Sequence, residues 1–171
     1  MTAIGRYLAC ALLLFCGAAH ADWRDAVPEA RMLGSGQFSW FGFKVYDARL
    51  WSPQRPLAAD QPFALELTYQ RRISRDELVQ ASLDEIKRLY GAGVSAAQLA
   101  DWRQQMQQSF VDVTPGQRIT GVYLPGRGAQ FFVDQRLQHT VADSAFAQAF
   151  FAIWLDPRTR NPQLRAQLLG Q

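Results

Sequence analysis

The chain has 171 residues, of which 49% are hydrophobic, and its formal net charge is +3 at pH 7. A chain of this length forms one domain that buries roughly two-thirds of its unfolded surface. The weak positive charge is scattered without a basic tract, so the composition argues against a protein that binds nucleic acid.

The first segment of the chain, residues 1–21, has the pattern of a secretory signal peptide. Arg6 is its only charge, and the apolar run "YLACALLLFCGAA" precedes Ala19-His20-Ala21, a small-x-small cleavage pattern. The alternative is a membrane anchor, but the run is shorter than the roughly 20 residues of a spanning helix. We therefore predict cleavage after Ala21, a periplasmic or secreted location, and a mature domain of residues 22–171 without an integral membrane segment.

The cysteines and histidines restrict the chemistry of that mature domain. Cys10, Cys16 and His20 all lie in the predicted signal peptide, so His139 is the one imidazole left and no thiol remains. Disulfides and cysteine metal sites are thereby excluded. We predict neither a metal site nor a cofactor.

The N-terminal part of the mature domain predicts strands. Residues 22–32 ("DWRDAVPEARM") are interpreted as a solvated lead-in. Aromatic and β-branched residues then predict strands at 36–41 and 43–51. In "PFALELTYQ" (62–70) apolar and polar residues alternate strictly, which predicts a half-buried strand.

Two helices are predicted next. Ser74 and Glu77 form a capping-box pattern ahead of an apolar stripe that ends at Tyr90. Ser95 can cap a second helix, in which apolar residues recur at three- and four-residue spacing as far as Phe110.

The C-terminal part returns to strands and ends in helices. The predicted elements are a strand at 118–125, a hairpin at 129–141 bending near Asp134-Gln135, a helix from Asp143 or Ser144 to Asp156-Pro157, and a short helix from Asn161-Pro162 through Leu169. Because strands and helices do not alternate strictly, the chain predicts an α+β domain with helices layered on an antiparallel sheet.

Four segments carry a likeness to a known family: "GSGQFSWFGFKVYDARLW", "ELTYQRRIS", "TPGQRITGVYLPGRGAQFF" and "FAQAFFAIWLDPRTRNPQLR". Through them the chain resembles the chalcone isomerase fold family, and most closely its bacterial periplasmic, chalcone isomerase-like branch. The resemblance implies an open-faced β-sandwich, with helices packed on one face of an antiparallel sheet and a ligand cleft between them. It also implies one of two activities, because the family contains isomerases that cyclise chalcones and non-catalytic members that hold fatty acids.

The resemblance can be carried over residue by residue. Tyr46 stands where the isomerases have a catalytic Thr and where the fatty-acid-binding branch has a Tyr that meets the carboxylate. Tyr90 is similar to an isomerase Tyr, but the Asn expected after it falls on Ala97, and the expected Arg falls on Gln37 and Phe38. The resemblance therefore implies no chalcone cyclisation, and catalytic residues stay unassigned.

An arginine elsewhere could replace the missing one. Arg71, directly after the 62–70 strand, is the candidate that we rank above Arg49, and Lys44 is also considered. Such a cation would hold a carboxylate by a charge-assisted hydrogen bond, although an arginine at a strand end is more often solvated or ion-paired. The predicted ligand-binding residues are Tyr46, Arg71 and Tyr90. Four other aromatic residues are predicted to be core or cleft lining, namely Phe38, Phe41, Phe43 and Trp51.

Three functions are compatible with this sequence. The leading hypothesis is a non-catalytic periplasmic protein that binds a small apolar or amphipathic molecule, such as a fatty acid, in the cleft. The second is an isomerase or lyase that acts on an enone-like substrate. The third is a structural or partner-binding module with a vestigial cleft.

Overall fold

The computed structural model describes residues 22–171. The predicted signal peptide, residues 1–21, lies outside the described residues, as does its cleavage site at Ala21. Six strands form one antiparallel sheet in chain order. Their bounds are β1 Arg31–Trp40, β2 Phe43–Ser52, β3 Phe63–Tyr69, β4 Arg118–Leu124, β5 Gly128–Val133 and β6 Arg136–Val141. The helices of the described part are α1 Trp23–Ala26, α2 Arg75–Tyr90, α3 Ala96–Ser109, α4 Ser144–Leu155 and α5 Pro162–Leu168.

The helices begin where side chains cap them. Ser74 accepts a hydrogen bond from the N–H of Glu77 at 3.3 Å, and the Glu77 carboxylate accepts one from the N–H of Ser74 at 2.8 Å. Ser95 caps α3 in the same reciprocal way, and Asp143 caps α4. These caps satisfy amide groups that the first helical turn leaves without partners, which explains why the predicted helix starts are correct.

The predicted fold class is confirmed: the protein is α+β, with its longer helices on one face of an antiparallel sheet. Side chains from all six strands meet those of α2, α3, α4 and α5 in a main core. Phe131 is fully buried in it and makes edge-to-face contacts with Phe110, Phe146 and Phe150. Offset and edge-to-face pairs of this kind stabilise a core beyond the area that they bury.

The interpretation of residues 22–32 as a solvated lead-in is wrong. Trp23 is 2% exposed and Val27 is 1% exposed, because α1 packs on the sheet face opposite to the main core. The Trp23 ring lies 5.7 Å from that of Trp51. This second small core also covers Ala64, so β3 is buried on both faces rather than half-buried as the alternation predicted.

Glu66 is the charged residue of β3, and its side chain lies on the same face as Ala64. It is 3% exposed and lies between two arginines, 3.4 Å from Arg49 and 3.6 Å from Arg118. Both guanidinium groups are partly exposed, so they compensate the buried carboxylate while keeping contact with water. Arg49 is therefore committed to this pair, on the opposite face from the main core.

The aromatic residues between Phe38 and Trp51 divide between three environments. Trp51 belongs to the second core, and Phe38 packs on the main core. Phe41 is 85% exposed and Phe43 is 69% exposed at the tip of the β1–β2 hairpin. The prediction that these two rings are core or cleft lining is wrong, because both lie beyond the region that the helices cover.

Candidate functional site

A cavity of about 730 Å³ lies between the sheet and helices α2, α4 and α5. Most of its lining is apolar: Phe38, Trp40, Val45, Leu65, Leu67, Ile73, Leu78, Ala81, Phe110, Ile119, Phe131, Phe150, Phe151, Ile153, Trp154 and Leu164. Five strand residues of this set belong to the main core or pack against it, namely Phe38, Leu65, Leu67, Ile119 and Phe131. The volume falls within the range of about 300–1,000 Å³ that is typical of small-molecule sites.

Local sequence explains why the space exists. Leu65, Leu67 and Tyr69 all point to the cavity because alternate residues of β3 share a face. Beside them, on β4, Gly121 contributes no side chain, and a Cβ there would lie 3.1 Å from Cζ of Phe151. The rings of Phe150 and Phe151 both pack in the core and line the cavity.

Tyr46 lies at the polar part of this lining. Its ring stacks on Phe38 with 5.1 Å between centroids, and its Oη accepts a hydrogen bond from Nε1 of Trp154 at 2.9 Å. Because the indole only donates, the phenolic proton of Tyr46 stays free to be donated to a ligand. Burial raises the pKa of Tyr46 well above its ordinary value. The group is therefore a hydrogen-bond donor and cannot act as a base at neutral pH.

Tyr69 supplies a second hydroxyl, and the alternation of residues 62–70 places it on the apolar face of that strand. It is opposite Tyr46 in the β2–β3 register, and the two rings meet edge to face at 6.0 Å. Burial also raises the pKa of Tyr69. Within residues 22–171 its hydroxyl makes no hydrogen bond, although it lines the cavity. Its position opposite Tyr46 could have identified it once the strand register was known.

Arg160 is the arginine that lines the cavity. It follows α4, its side chain is 59% exposed, and its Nε lies 2.5 Å from Oε1 of Glu85. The other carboxylate oxygen of Glu85 lies 2.9 Å from Nε of Arg88. Two guanidinium groups thus share the carboxylate of Glu85, and the lining also holds two further carboxylates, those of Glu77 and Asp84. No local pattern distinguished Arg160, because its partner is supplied by α2.

Arg71 and Tyr90 do not line the cavity. Arg71 is exposed beyond the end of β3 and is not part of the lining. The prediction that Arg71 lies at the cavity is therefore corrected, and Arg160 is the arginine found there. Tyr90 is half-buried at the end of α2, where burial and the nearby carboxylate of Asp156 raise its pKa. Ala97 is exposed on α3. Of the three predicted ligand-binding residues, the structure brings only Tyr46 to the cavity.

The structure also bears on metal binding and on membrane spanning. In the described part of the chain, no group of three or more His, Cys, Asp or Glu side chains is placed to hold a metal ion. His139 contacts the side-chain amide oxygen of Gln105 at 2.8 Å. None of the helices within residues 22–171 combines the length and apolarity that crossing a membrane requires.

An open antiparallel sheet, covered by helices around a largely apolar cavity with polar groups at its border, defines a small α+β domain of the open-faced sandwich class. The model of the chalcone isomerase-like family matches residues 30–170, and the chain belongs to this family. A Haemophilus influenzae protein described as uncharacterized is 28% identical over 161 residues, which cover 94% of this chain and 74% of that protein. The fold is similar to the crystal structure of a fatty-acid binding protein of Arabidopsis thaliana, with a TM-score of 0.64 and 12% identity, covering 83% of this chain and 87% of that one.

Proposed function

We propose that this protein is a non-catalytic binding protein for a single-chain amphipathic molecule with an acidic head group, such as a fatty acid. The observation that carries the proposal is the cavity of about 730 Å³, with its apolar walls and its few polar groups. The fatty-acid binding protein with the same fold supports it. We also propose that the protein acts in the periplasm or outside the cell, which the composition of residues 1–21 supports.

The apolar walls account for most of the expected affinity. Burial of each methylene group contributes about 0.8 kcal/mol, so an acyl chain in the cavity gains more than any one polar contact. The walls consist mainly of branched and aromatic side chains from the sheet, α2 and α4, whose carbon atoms offer no hydrogen bond that a ligand would have to replace. The indole N–H of Trp154 already donates to Tyr46. Length of the acyl chain should therefore dominate binding.

The polar groups suit an oxygen-rich head group. Tyr46 has a proton to donate, Tyr69 has an unpartnered hydroxyl within the described residues, and Arg160 brings a guanidinium group to the lining. A carboxylate can accept from all of these groups by charge-assisted or ordinary hydrogen bonds. The head group is thus expected near the end of the cavity where β2, β3 and the α4–α5 connection meet.

The same geometry favours binding over isomerase or lyase chemistry. Tyr46 holds its proton because burial raises its pKa, so it cannot abstract one from a substrate. Tyr90 and Ala97, which match isomerase positions, lie away from the cavity lining. The cavity therefore lacks the set of groups around a ketone that cyclisation of a chalcone uses in the enzymes that this chain resembles.

Identification of bound lipid and titration with an acid series test the proposal together. Mass spectrometry of a solvent extract of the purified protein is expected to detect an acyl compound. After delipidation, calorimetry with octanoic, dodecanoic and hexadecanoic acid should give affinities that rise with chain length, at up to about fourfold per methylene. Affinities that do not depend on chain length, or no binding of any acid, would refute the proposal.

The head-group contacts lead to a second prediction. Tyr46→Phe should weaken binding of dodecanoic acid by about 0.5–1.5 kcal/mol, because a hydrogen bond is lost. Arg160→Gln should weaken binding of dodecanoic acid by about tenfold. Loss of a fully buried charge would cost more, because solvent screens this exposed group. Dodecanol should bind both variants as it binds the wild type, since it has no negative charge and few head-group contacts.

Arg71→Gln is the matched control for Arg160→Gln. It removes the same charge from an exposed residue outside the cavity lining, so affinity for dodecanoic acid should stay unchanged. If calorimetry instead gives a loss for Arg71→Gln and none for Arg160→Gln, the arginine assigned from the sequence is the correct one.

A further inference from the structure

The tip of the β1–β2 hairpin exposes large aromatic side chains without any structural need for them. Trp40 is 53% exposed, Phe41 is 85% exposed and Phe43 is 69% exposed. Phe41 has φ 47° and Gly42 has φ 80°, as in a two-residue turn whose central positions favour Asn, Asp or Gly. A Phe in the left-handed region is strained, and at this exposure its edge-to-face contact with Trp40 offsets little of that strain. Such strained, exposed residues point to a function outside the fold.

Basic side chains lie beside this tip. Lys44 follows Phe43 on β2, and the N–H of Gln70 donates to the carbonyl of Val45 at 2.9 Å. The chain beyond β3, Arg71 and Arg72, therefore runs alongside the first residues of β2. We call the set Lys44, Arg71 and Arg72 the basic collar.

The collar is available to bind anions. All three of its side chains are exposed, and none forms a salt bridge to another residue of the described chain. The carboxylates at this end of the sheet accept hydrogen bonds from neutral groups: Asp47 from the amides of Gln37 and Gln70, and Asp134 from the N–H of Arg118. The hydrogen bonds from Ser74, and to a smaller extent the charge of Arg71, lower the pKa of Glu77.

We infer that the β1–β2 hairpin tip docks on the surface of an anionic phospholipid bilayer. Aromatic rings are favoured in the interfacial layer of a bilayer, and basic side chains around them are attracted by anionic head groups. A second copy of this chain fits less well, because it would bring two basic collars together. The charge of the collar thus selects an anionic lipid surface as the partner.

The tip is continuous with the cavity. Phe38 and Trp40 line the cavity and are 6.4 Å apart between ring centroids, and Trp40 contacts Phe41 edge to face at 5.1 Å. Docking through Phe41 and Phe43 would therefore place the opening beside the lipid. This part of the inference rests on the proposed function: an acyl chain would pass between bilayer and cavity without crossing water.

Vesicle flotation tests the docking. The purified protein is mixed with vesicles of phosphatidylcholine alone, or of equal parts phosphatidylcholine and phosphatidylglycerol. We expect binding to the anionic vesicles and weakening of that binding by added salt. The double variant Phe41→Asn with Phe43→Ser should lose affinity for them about tenfold or more. Asn tolerates the positive φ at position 41, so this variant should fold.

Two further variants separate the contribution of the exposed tip rings from that of the basic collar. Met32→Ser removes another exposed apolar side chain, 51% exposed, from the opposite end of β1 and should leave vesicle binding unchanged. Lys44→Gln with Arg71→Gln should weaken binding to the anionic vesicles alone. No binding by the wild type, or equal binding by the tip variant, would overturn the inference. So would a concentration-dependent dimer that the tip variant abolishes, since a second copy would then be the occupant.

The result is distinguishable from a failure of the proposed function. Phe41 and Phe43 do not line the cavity, so the tip variant should bind dodecanoic acid in solution with unchanged affinity. Acid binding without vesicle binding would remove the docking inference alone. Vesicle binding without acid binding would leave the docking surface and refute the proposed ligand.

Discussion

An Ala81→Trp variant is expected to lose dodecanoic acid binding by more than about a hundredfold while it keeps the fold. Ala81 lines the cavity from α2 and is exposed to solvent, so a large ring there enters the opening rather than the core. An indole that displaces even four methylenes of the acyl chain removes about 3 kcal/mol of burial, which is more than a hundredfold in affinity. The helix itself tolerates Trp at an interior position at a cost of a few tenths of a kcal/mol.

Ala100→Trp is the control for this substitution. Ala100 is also an exposed alanine inside a helix, α3, but it does not line the cavity. Both variants should give the far-ultraviolet circular dichroism spectrum and the unfolding midpoint of the wild type, and only Ala81→Trp should fail in calorimetry. If both variants bind the acid normally, the ligand lies elsewhere and the cavity is vestigial.

The helix boundaries could be predicted from sequence because their signals are local. Ser74 with Glu77, and Ser95 with Gln98, form their capping boxes within a few residues of each other. Alternation along 62–70 likewise assigned Leu65 to the face that now lines the cavity. What alternation could not predict is the burial of the opposite face, because the covering element, α1, comes from a different part of the chain.

The start of β1 was missed for a similar reason. The prediction began at residue 36, whereas the strand begins at Arg31 and includes Gly34 and Gly36. Glycine is depleted in strands, so the local sequence argues against one. The structure gives the reason for glycine here: a Cβ on Gly34 would collide with the carbonyl of Gln167, because α5 lies directly on this strand. Only the packed helix explains the residue.

Some polar groups of the cavity could be assigned from the local sequence, and others only from the tertiary structure. Tyr46 could be assigned because its strand carries a family resemblance. Tyr69 and Arg160 could not, since one depends on the β2–β3 register and the other on the approach of Glu85 from α2. Arg71 is the arginine that the sequence favours because it follows a cavity-forming strand, yet its side chain is exposed outside the lining and belongs to the basic collar.

Trp23→Ala is expected to destabilise the protein strongly, although α1 has only four residues. A helix this short has no stability of its own, so it is held by side-chain packing. Trp23 is 2% exposed, contacts Trp51, and has the guanidinium of Arg24 at 4.3 Å from its ring centroid. Removing a buried Trp side chain from such a core costs about 3–5 kcal/mol.

Denaturant unfolding of purified protein measures this loss, and Trp40→Ala provides the comparison. Trp40 is 53% exposed, so the same substitution should cost about 1 kcal/mol or less, near the centre of the range for single mutations. Losses of equal size would mean that α1 detaches without consequence, as expected for a solvated lead-in. A larger loss for Trp23→Ala would establish that the sheet needs cover on both faces. The second core then matters for the cavity too, because it buries the reverse side of β3, the strand that carries Leu65, Leu67 and Tyr69.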